Sequence, residues 1–355
     1  MRSIQRRLVL TLAFVAVLPL VGPAARMQAP AKRPIELEDI VAWKSIGPTA
    51  LSNDGQWFAY RVGPSEGDAQ VVIKRARSDK EMTFDVGELP TPVAAAGPPP
   101  AGPPPSSSLE FSQDSKWVAF TTYPSRREGQ RLRRQRRPVQ GGVTVVNLAT
   151  GEKRDYAKVR RFAFSGEASA WFALQRYAPQ PASTSGAASA TASPGGTPAP
   201  VGAGGTAPDR PRGSDVILRE LATGQELNVG NVADFTFSKD GRYLAWTIDA
   251  QDKVGNGIQL RDMSRGTVTV LDSGAASYER PTWTEKGDGL AVLKGADDKA
   301  LRDKLYAVVG FTGFGPGTPQ KTSFDPASDK SFPAGMTISP NRDPRWTQDL
   351  QACTA

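Results

Sequence analysis

One short phrase recurs along this 355-residue chain, and its spacing restricts the fold more than any other feature. It reads LSNDGQWFAY from Leu51, FSQDSKWVAF from Phe111 and FSKDGRYLAW from Phe237. In each copy a serine, an aspartate and a glycine or second serine stand together. Such residues bond neighbouring backbone amides or accept positive φ, so the first half of the phrase predicts a tight turn. The second half, QWFAY, KWVAF or RYLAW, is aromatic and aliphatic and predicts a short buried strand. The phrase is therefore the turn and second strand of a β-hairpin. Looser copies are FSGEASAWFAL (Phe164–Leu174) and WTEKGDGLAVL (Trp283–Leu293).

A second phrase alternates with the first. It reads VTVVNLATGEKRDY from Val143, VILRELATGQELNV from Val216 and IQLRDMSRGTVTVL from Ile258, with a degenerate form, VVIKRARSDKEMTF, from Val71. Each is an extended run, a turn and another extended run. First and second phrases start 20 residues apart at Leu51 and Val71, and 21 apart at Phe237 and Ile258. The return interval is 21 residues twice, from Val143 to Phe164 and from Val216 to Phe237. Two hairpins, or four strands, in about 42 residues is the period of a β-propeller blade. The expected fold is all-β: an incomplete β-propeller of four-stranded antiparallel blades with low-complexity loop inserts.

The longer intervals have visible causes. Proline- and glycine-rich or arginine-rich segments lie near 89–107, 125–142 and 178–213. Their composition cannot bury enough apolar area to offset chain entropy, so they are expected to be disordered loops. The repeat resumes in phase after each one, which makes them excursions from blades and not domain linkers. LYAVVGF (Leu305–Phe311) opens a second hairpin in the last, incomplete unit. The propeller portion is thus expected over residues 30–346, with about four to five blades, followed by an irregular tail at 347–355.

Residues 1–29 read as a secretory signal peptide. Arg2, Arg6 and Arg7 precede a charge-free apolar run of 15 residues, Leu8–Gly22, and small residues follow, with cleavage after Ala25 or Ala29. The run is interrupted by Pro19 and is short against the ~20 residues of a membrane span. Export to the periplasm or the medium is expected, with no stable membrane span after cleavage.

No catalytic residue, cofactor-binding residue or metal ligand stands out. The chain contains no histidine and one cysteine, Cys353. A Ser-His-Asp relay needs an imidazole that titrates near neutral pH, so that mechanism is closed to these residues. Zinc sites lean on Cys and His, and the Asp249–Gly257 stretch lacks the oxygen ligands of a calcium loop. No Gly-x-Ser-x-Gly elbow or phosphate-binding loop occurs. The net charge is +8, a weak general attraction to polyanions. Arg126, Arg127, Arg131, Arg133, Arg134, Arg136 and Arg137 crowd one insert without interleaved aromatics. That pattern reads as a solvated basic loop, and no nucleic-acid partner is expected.

The ordered series of phrases resembles a known family. RPIELEDIVAWKSIGPTALSNDGQWFAYRV (Arg33–Val62), FSQDSKWVAFTTYPSRRE, VVNLATGEKRDY, and VILRELATGQEL followed by FSKDGRYLAW are similar to exported bacterial peptidases of the prolyl oligopeptidase family of serine peptidases. The resemblance runs from about Pro30 to Trp346. It implies a β-propeller that restricts peptide access to an α/β-hydrolase domain, which would carry the nucleophilic serine, the aspartate and the histidine. None of those positions falls within these 355 residues. The expected role is therefore the non-catalytic propeller portion of such a peptidase, with peptide substrates only in the context of a full-length enzyme. Self-association through open blade edges is expected as well. A stand-alone periplasmic propeller, acting as scaffold or receptor like the Tol-associated propellers, remains the alternative, and a four- or five-bladed enzyme with a channel site is a third.

Overall fold

The computed structural model describes residues 34–89, 108–178, 213–298, 304–315, 317–333 and 336–354. The expected signal peptide and most of the inserts at 89–107 and 178–213 lie outside the described residues. The chain divides into two compact units, residues 1–42 and 43–355. The described part of the first contains a six-residue helix, α1 (Leu37–Ala42). The second is built from sheets.

Five four-stranded antiparallel units follow one another in chain order. The first holds β1 (Lys44–Leu51), β2 (Trp57–Pro64), β3 (Asp68–Arg75) and β4 (Glu81–Glu88). The second holds β5 (Leu109–Phe111), β6 (Trp117–Thr122), β7 (Gly142–Asn147) and β8 (Lys153–Tyr156). The third begins with β9 (Val159–Phe164), β10 (Trp171–Arg176) and β11 (Ser214–Glu220) and shares its last strand, β12 (Glu226–Phe237), with the fourth. Residues 226–229 of β12 pair with β11, and residues 234–237 pair with β13 (Tyr243–Ile248). Asn231, at φ 57°, makes the bend between the halves. The fourth unit continues through β14 (Gly257–Asp262) and β15 (Val268–Ser273). The fifth is β16 (Ser277–Trp283), β17 (Gly289–Ala296), β18 (Leu305–Thr312) and β19 (Gln320–Phe324), and it is complete, where the sequence suggested a fragment.

Within each unit the strands pair in simple succession, and the first strands of neighbouring units adjoin: β1 with β5, β12 with β16. Successive four-stranded meanders stacked through their faces are propeller blades. The apolar cores lie between blades. Trp57, Ala59, Val71 and Ile73 of blade 1 pack on Leu109, Phe111, Val118 and Phe120 of blade 2. Phe162, Phe164 and Phe172 of blade 3 meet Val143, Val145 and Tyr156 of blade 2. On the opposite face of blade 1, Ile46, Leu51 and Phe58 are exposed. Its outer half carries polar pairs, Gln70 with Asp85 and Lys74 with Glu81, both at 2.9 Å.

The recurring phrase forms the turn expected of it, and its hydroxyl accepts from a backbone amide in every copy. In blade 1 the Ser52 hydroxyl accepts from Trp57 N at 2.9 Å and donates to Asp54 Oδ1 at 2.5 Å. Asp54 Oδ1 in turn accepts from Gln56 N at 2.9 Å. Ser112 and Ser238 repeat the arrangement with Trp117 and Tyr243. Thr284 accepts from Gly289 N and donates to Asp288, and Ser165 accepts from Trp171 N one residue further on.

A sixth copy stands where the sequence suggested an irregular tail. Thr347 Oγ1 accepts from Ala352 N at 3.1 Å and donates to Asp349 Oδ1 at 2.5 Å. This turn joins β20 (Arg345–Trp346) to β21 (Cys353–Thr354). Leu350, at φ 56°, holds the left-handed position that glycine fills in other copies, which hides the phrase from a pattern search. Trp346 lies against blade 5: a methyl group on Gly310 would stand 2.1 Å from its ring, and its indole N–H donates to Leu290 O at 3.1 Å.

The arginine-rich insert is also corrected. Part of residues 125–142, expected to be disordered, forms the nine-residue helix α2 (Arg126–Arg134). Ser125-Arg126-Arg127-Glu128 is a capping-box sequence, and the Ser125 side chain accepts from Glu128 N at 3.4 Å. Arg131, Arg133 and Arg134 fall in the last turn, where cations suit the helix dipole.

Two substitutions test these local accounts. Ser238 is fully buried, and Ser238→Ala strands the Tyr243 amide; the expected loss is about 1–3 kcal/mol, read as a lower urea midpoint at unchanged slope. Gly129 sits inside α2 with no atom within 4 Å of the place a methyl group would occupy. Gly129→Ala is expected to stabilise by about 0.5–1 kcal/mol, seen as a higher Tm.

Candidate functional site

Two ends of the blades differ in character. Turns joining first to second strands lie at one end and bond to one another across blades. Asp54 N donates to Ser115 Oγ at 3.1 Å, Asp114 N to Ser169 Oγ at 3.3 Å, and Glu167 N to Lys239 O at 2.8 Å. At the third of these junctions the backbones come so close that Cβ atoms on Gly166 or Gly241 would stand 2.2 and 2.0 Å from facing carbonyl oxygens. Both also hold positive φ, 54° and 74°. That junction is filled by its own turns, but a cavity of about 730 Å³ lies at the same end between the turns of blades 1 to 3, with Trp57, Lys116, Trp117 and Leu148 in its wall.

Charged pairs clamp the blades elsewhere, and the repeat sets their register. Arg161, Asp234, Arg280 and Asp343 each precede the turn hydroxyl of their own unit by four residues. Arg161 binds Asp234 across blades 3 and 4, and its Nη2 donates to Phe235 O at 2.9 Å. Burial pushes the Asp234 carboxyl above its ordinary value despite that partner. Arg280 binds Asp343 at 2.8 Å in the same way. On outer strands, Tyr156 of blade 2 donates to Glu226 of blade 3 at 2.6 Å, and burial together with this carboxylate pushes the phenol up to about 12. Asp272 on β15 receives Lys294 at 2.9 Å and Lys321 at 2.7 Å from blade 5, and the Tyr278 hydroxyl at 2.9 Å.

A polar cavity of about 270 Å³ lies at the opposite end of blade 1, beneath α2. Its wall includes Ser45 and Gly47 of β1, Arg61 of β2, the β2–β3 connection, Glu88 of β4, and Arg126, Gln130 and Arg133 of α2. Arg61 is 3% exposed. The strand alternation puts it in phase with buried Trp57 and Ala59 on the core face of β2. Its Nη2 donates to Thr121 O at 2.7 Å, and its guanidinium carbon stands 5.9 Å from the Tyr123 ring centre. Burial lowers its pKa from the ordinary value, with Tyr123 opposing, yet a guanidinium stays charged in a protein. Nη1 has no hydrogen-bond partner. Arg126 pairs with Glu66 at 2.9 Å and reaches Glu88 at 3.7 Å; Arg133 reaches Glu88 at 3.8 Å. The arginine run thus turns two side chains onto blade 1, and Arg131 bonds Glu128 within the helix at 2.7 Å.

The sequence reading missed Arg61. The signal was present in WFAYRV: a cation in phase with the inward positions of a strand. Of the positions it weighed and set aside, Asp249–Gly257 forms the β13–β14 connection, where Asn256 Nδ2 bonds Asp249 Oδ1 at 3.3 Å and Ala276 O at 3.0 Å. Cys353 is half-buried, which pushes its thiol up and disfavours the thiolate. Among the described residues no three His, Cys, Asp or Glu side chains gather as metal ligands, and no helix is long and apolar enough to cross a membrane.

No protein-family model matches the chain, and no curated protein does. Solved structures do. A structure from an analysis of two prolyl endopeptidases is similar over 81% of this chain and 37% of that one, at 15% identity and TM-score 0.39. The β-propeller domain of the Trilobed protease from Pyrococcus furiosus, which has an open velcro topology, is similar over 76% of this chain and 70% of that one, at 8% identity and TM-score 0.38. TolB from Acinetobacter baumannii is similar over 76% of this chain and 52% of that one, at 11% identity and TM-score 0.32. The chain spans well under two thirds of the prolyl endopeptidase and TolB chains. The fold assignment rests on strand order and register, which define successive four-stranded antiparallel β-propeller blades directly.

The Asp272 cluster gives a pH test. Burial raises the carboxyl, but Lys321, Lys294 and Tyr278 outweigh it and bring the pKa down to about 2. The unfolded value is about 3.9. A depressed folded pKa contributes stability that is present above about pH 4 and is lost as pH falls toward 2. Asp272→Asn is expected to flatten the stability–pH curve between those limits, measured by urea unfolding at stepped pH.

Proposed function

We propose that this chain is the non-catalytic propeller portion of a prolyl oligopeptidase-like serine peptidase, exported to the periplasm or the medium, in which it restricts peptide access to a separate hydrolase domain. The observation that carries the reading is the ordered series of family-like phrases from Arg33 to Trp346. Each falls on the blade position its role requires: the serine-aspartate phrase on first-to-second strand turns, the ATG-type phrase on third-to-fourth strand turns. The ATG turn of blade 2 shows the chemistry, with Asn147 Oδ1 accepting from Ala149 N at 2.9 Å and Gly151 at φ 77°. The absence of histidine supports a role in which these residues position and admit peptides without cleaving them. The basic, apolar and small-residue order of residues 1–29 supports export.

The purified chain is expected to leave chromogenic prolyl and alanyl peptide substrates intact and to take no label from a fluorophosphonate. Serine-dependent turnover by this chain would refute the reading. Genomic DNA beyond codon 355 is expected to encode Gly-x-Ser-x-Gly and a later histidine. A continuation lacking both would favour a stand-alone propeller.

A further inference from the structure

The cavity of about 730 Å³ at the clasped end of the blades is shaped by the repeat and by one departure from it. It runs from the β3–β4 turn of blade 1, across both turns of blade 2, to the β9–β10 and β11–β12 turns of blade 3. Much of its wall is apolar: Trp57, Leu148 and Leu221 are buried, and Trp117 is half-buried. The departure is Ala170, which is exposed in the wall at blade 3. It stands immediately before the aromatic of its phrase, where three other copies carry Gln56, Lys116 and Arg242. In blade 4 that longer side chain covers its own turn, with the Arg242 guanidinium carbon 5.1 Å from the Tyr243 ring centre. Alanine cannot cover the equivalent place in blade 3, and the space stays open.

Three exposed cations, Arg75, Lys80 and Lys116, share this wall. The Arg75 guanidinium carbon and Lys80 Nζ stand 5.8 and 5.4 Å from the Trp57 ring centre. Arg75 Nη2 reaches Gln56 Oε1 at 3.4 Å, and Lys80 Nζ reaches Leu148 O at 3.5 Å. Among the described residues neither forms an ion pair. The nearby acids are engaged elsewhere or stand apart. Asp114, the carboxylate in the wall, accepts from the Ser112 hydroxyl at 2.6 Å and pairs with Lys116 at 3.3 Å. Asp54 accepts from the Ser52 hydroxyl and from Gln56 N, and Glu81 pairs with Lys74 at 2.9 Å. Asp79 and Glu152 are exposed and lie outside the wall. Arg75 and Lys80 therefore offer their charge beside an apolar surface, which a partner bearing carboxylates and apolar side chains complements.

We infer that this groove docks an extended acidic segment of a partner protein. Its apolar side chains lie against Trp117, Leu148 and Leu221, and its carboxylates meet Arg75 and Lys80. An apolar centre with a charged rim, containing Trp and Arg, is the make-up of protein docking sites. The span across three blades suits an extended chain. Wall residues recur from blade to blade, Trp57 with Trp117 and Leu148 with Leu221, each pair from equivalent positions of the repeat. Successive side chains of one segment thus meet like surroundings. Lysine and arginine stems can lie along the apolar surface while their charged heads follow the carboxylates. The site is independent of the peptidase reading, because a stand-alone propeller would carry it equally.

Fluorescence anisotropy with the full chain and three fluorescein-labelled peptides tests the assignment. The probes are Asp-Leu-Glu-Leu-Asp-Leu-Glu, its uncharged counterpart Asn-Leu-Gln-Leu-Asn-Leu-Gln, and its leucine-free counterpart Asp-Ser-Glu-Ser-Asp-Ser-Glu. The first is expected to saturate one site, and each of the others to bind about tenfold more weakly or worse. Lys80→Glu is expected to weaken the first peptide about fivefold or more, the upper scale of one exposed charge contact. Ala170→Arg fills the groove while adding a positive charge, so it is expected to weaken binding about tenfold, whereas a diffuse attraction of acids to a basic surface would grow stronger. Both substitutions fall on exposed residues, and Lys80→Glu carries the test if the larger change does not fold. Equal binding of the leucine-free or the uncharged peptide, no saturable binding of the first, unchanged affinity in Lys80→Glu, or unchanged or tighter binding in Ala170→Arg would each overturn the assignment.

Discussion

A single hydrogen bond, from a backbone amide to the serine or threonine hydroxyl five residues before it, organises this molecule. It recurs at Ser52, Ser112, Ser238, Thr284 and Thr347, and one residue looser at Ser165. One such bond contributes only about 1 kcal/mol net. Its value is geometric: it closes the turn between first and second strands, and the companion aspartate or glycine then fixes the backbone path. With the turn fixed, its remaining amides face the neighbouring turn, as Asp54 N faces Ser115 and Asp114 N faces Ser169. Turn-to-turn bonds at this end thus help fix the register of neighbouring blades.

Much of the fold was legible because that bond has a sequence signature. Ser-x-Asp-Gly followed by an aromatic places the turn, and alternation then assigns the faces of the strand. Legibility failed where the chemistry survived and the letters changed. Leu350 stands where glycine is usual, so the sixth turn read as a tail. In α2 the density of arginine masked Ser125-Arg126-Arg127-Glu128, a helix start that composition alone cannot reveal. The cavity was half legible: Arg61 breaks the apolar phase of β2, but the roof over it comes from α2, which is distant in sequence.

Charged latches complement the apolar cores in a specific way. Phenylalanine-rich interfaces such as Phe162, Phe164 and Phe172 against blade 2 supply area but little directional preference. Arg161 with Asp234, and Arg280 with Asp343, join equivalent positions of consecutive units. The Arg161–Asp234 pair is the buried one, and such a pair adds little net stability, because desolvation offsets the attraction. A slipped register would instead leave an unpaired buried charge, at a cost of several kcal/mol. The Arg161–Asp234 latch therefore favours one stacking of blades 3 and 4 among those that hydrophobic contact alone would permit.

The same construction explains where this protein has freedom to acquire function. In a four-stranded meander the first-to-second and third-to-fourth turns share one end of the sheet, and all other connections share the opposite end. Every long connection falls in the second class. Residues 123–141, with α2, join β6 to β7; residues 177–213 join β10 to β11; residues 89–108 join β4 to β5; and residues 249–256, with Asn256 tying them down, join β13 to β14. At the end closed by hydroxyl clasps the junction of blades 3 and 4 leaves no room for added chain, since a Cβ on Gly166 or Gly241 would already collide with facing carbonyls. The other end has no such constraint, and chain added there costs only slowly growing loop entropy. The Arg61 cavity lies at that end because an inserted helix roofs it.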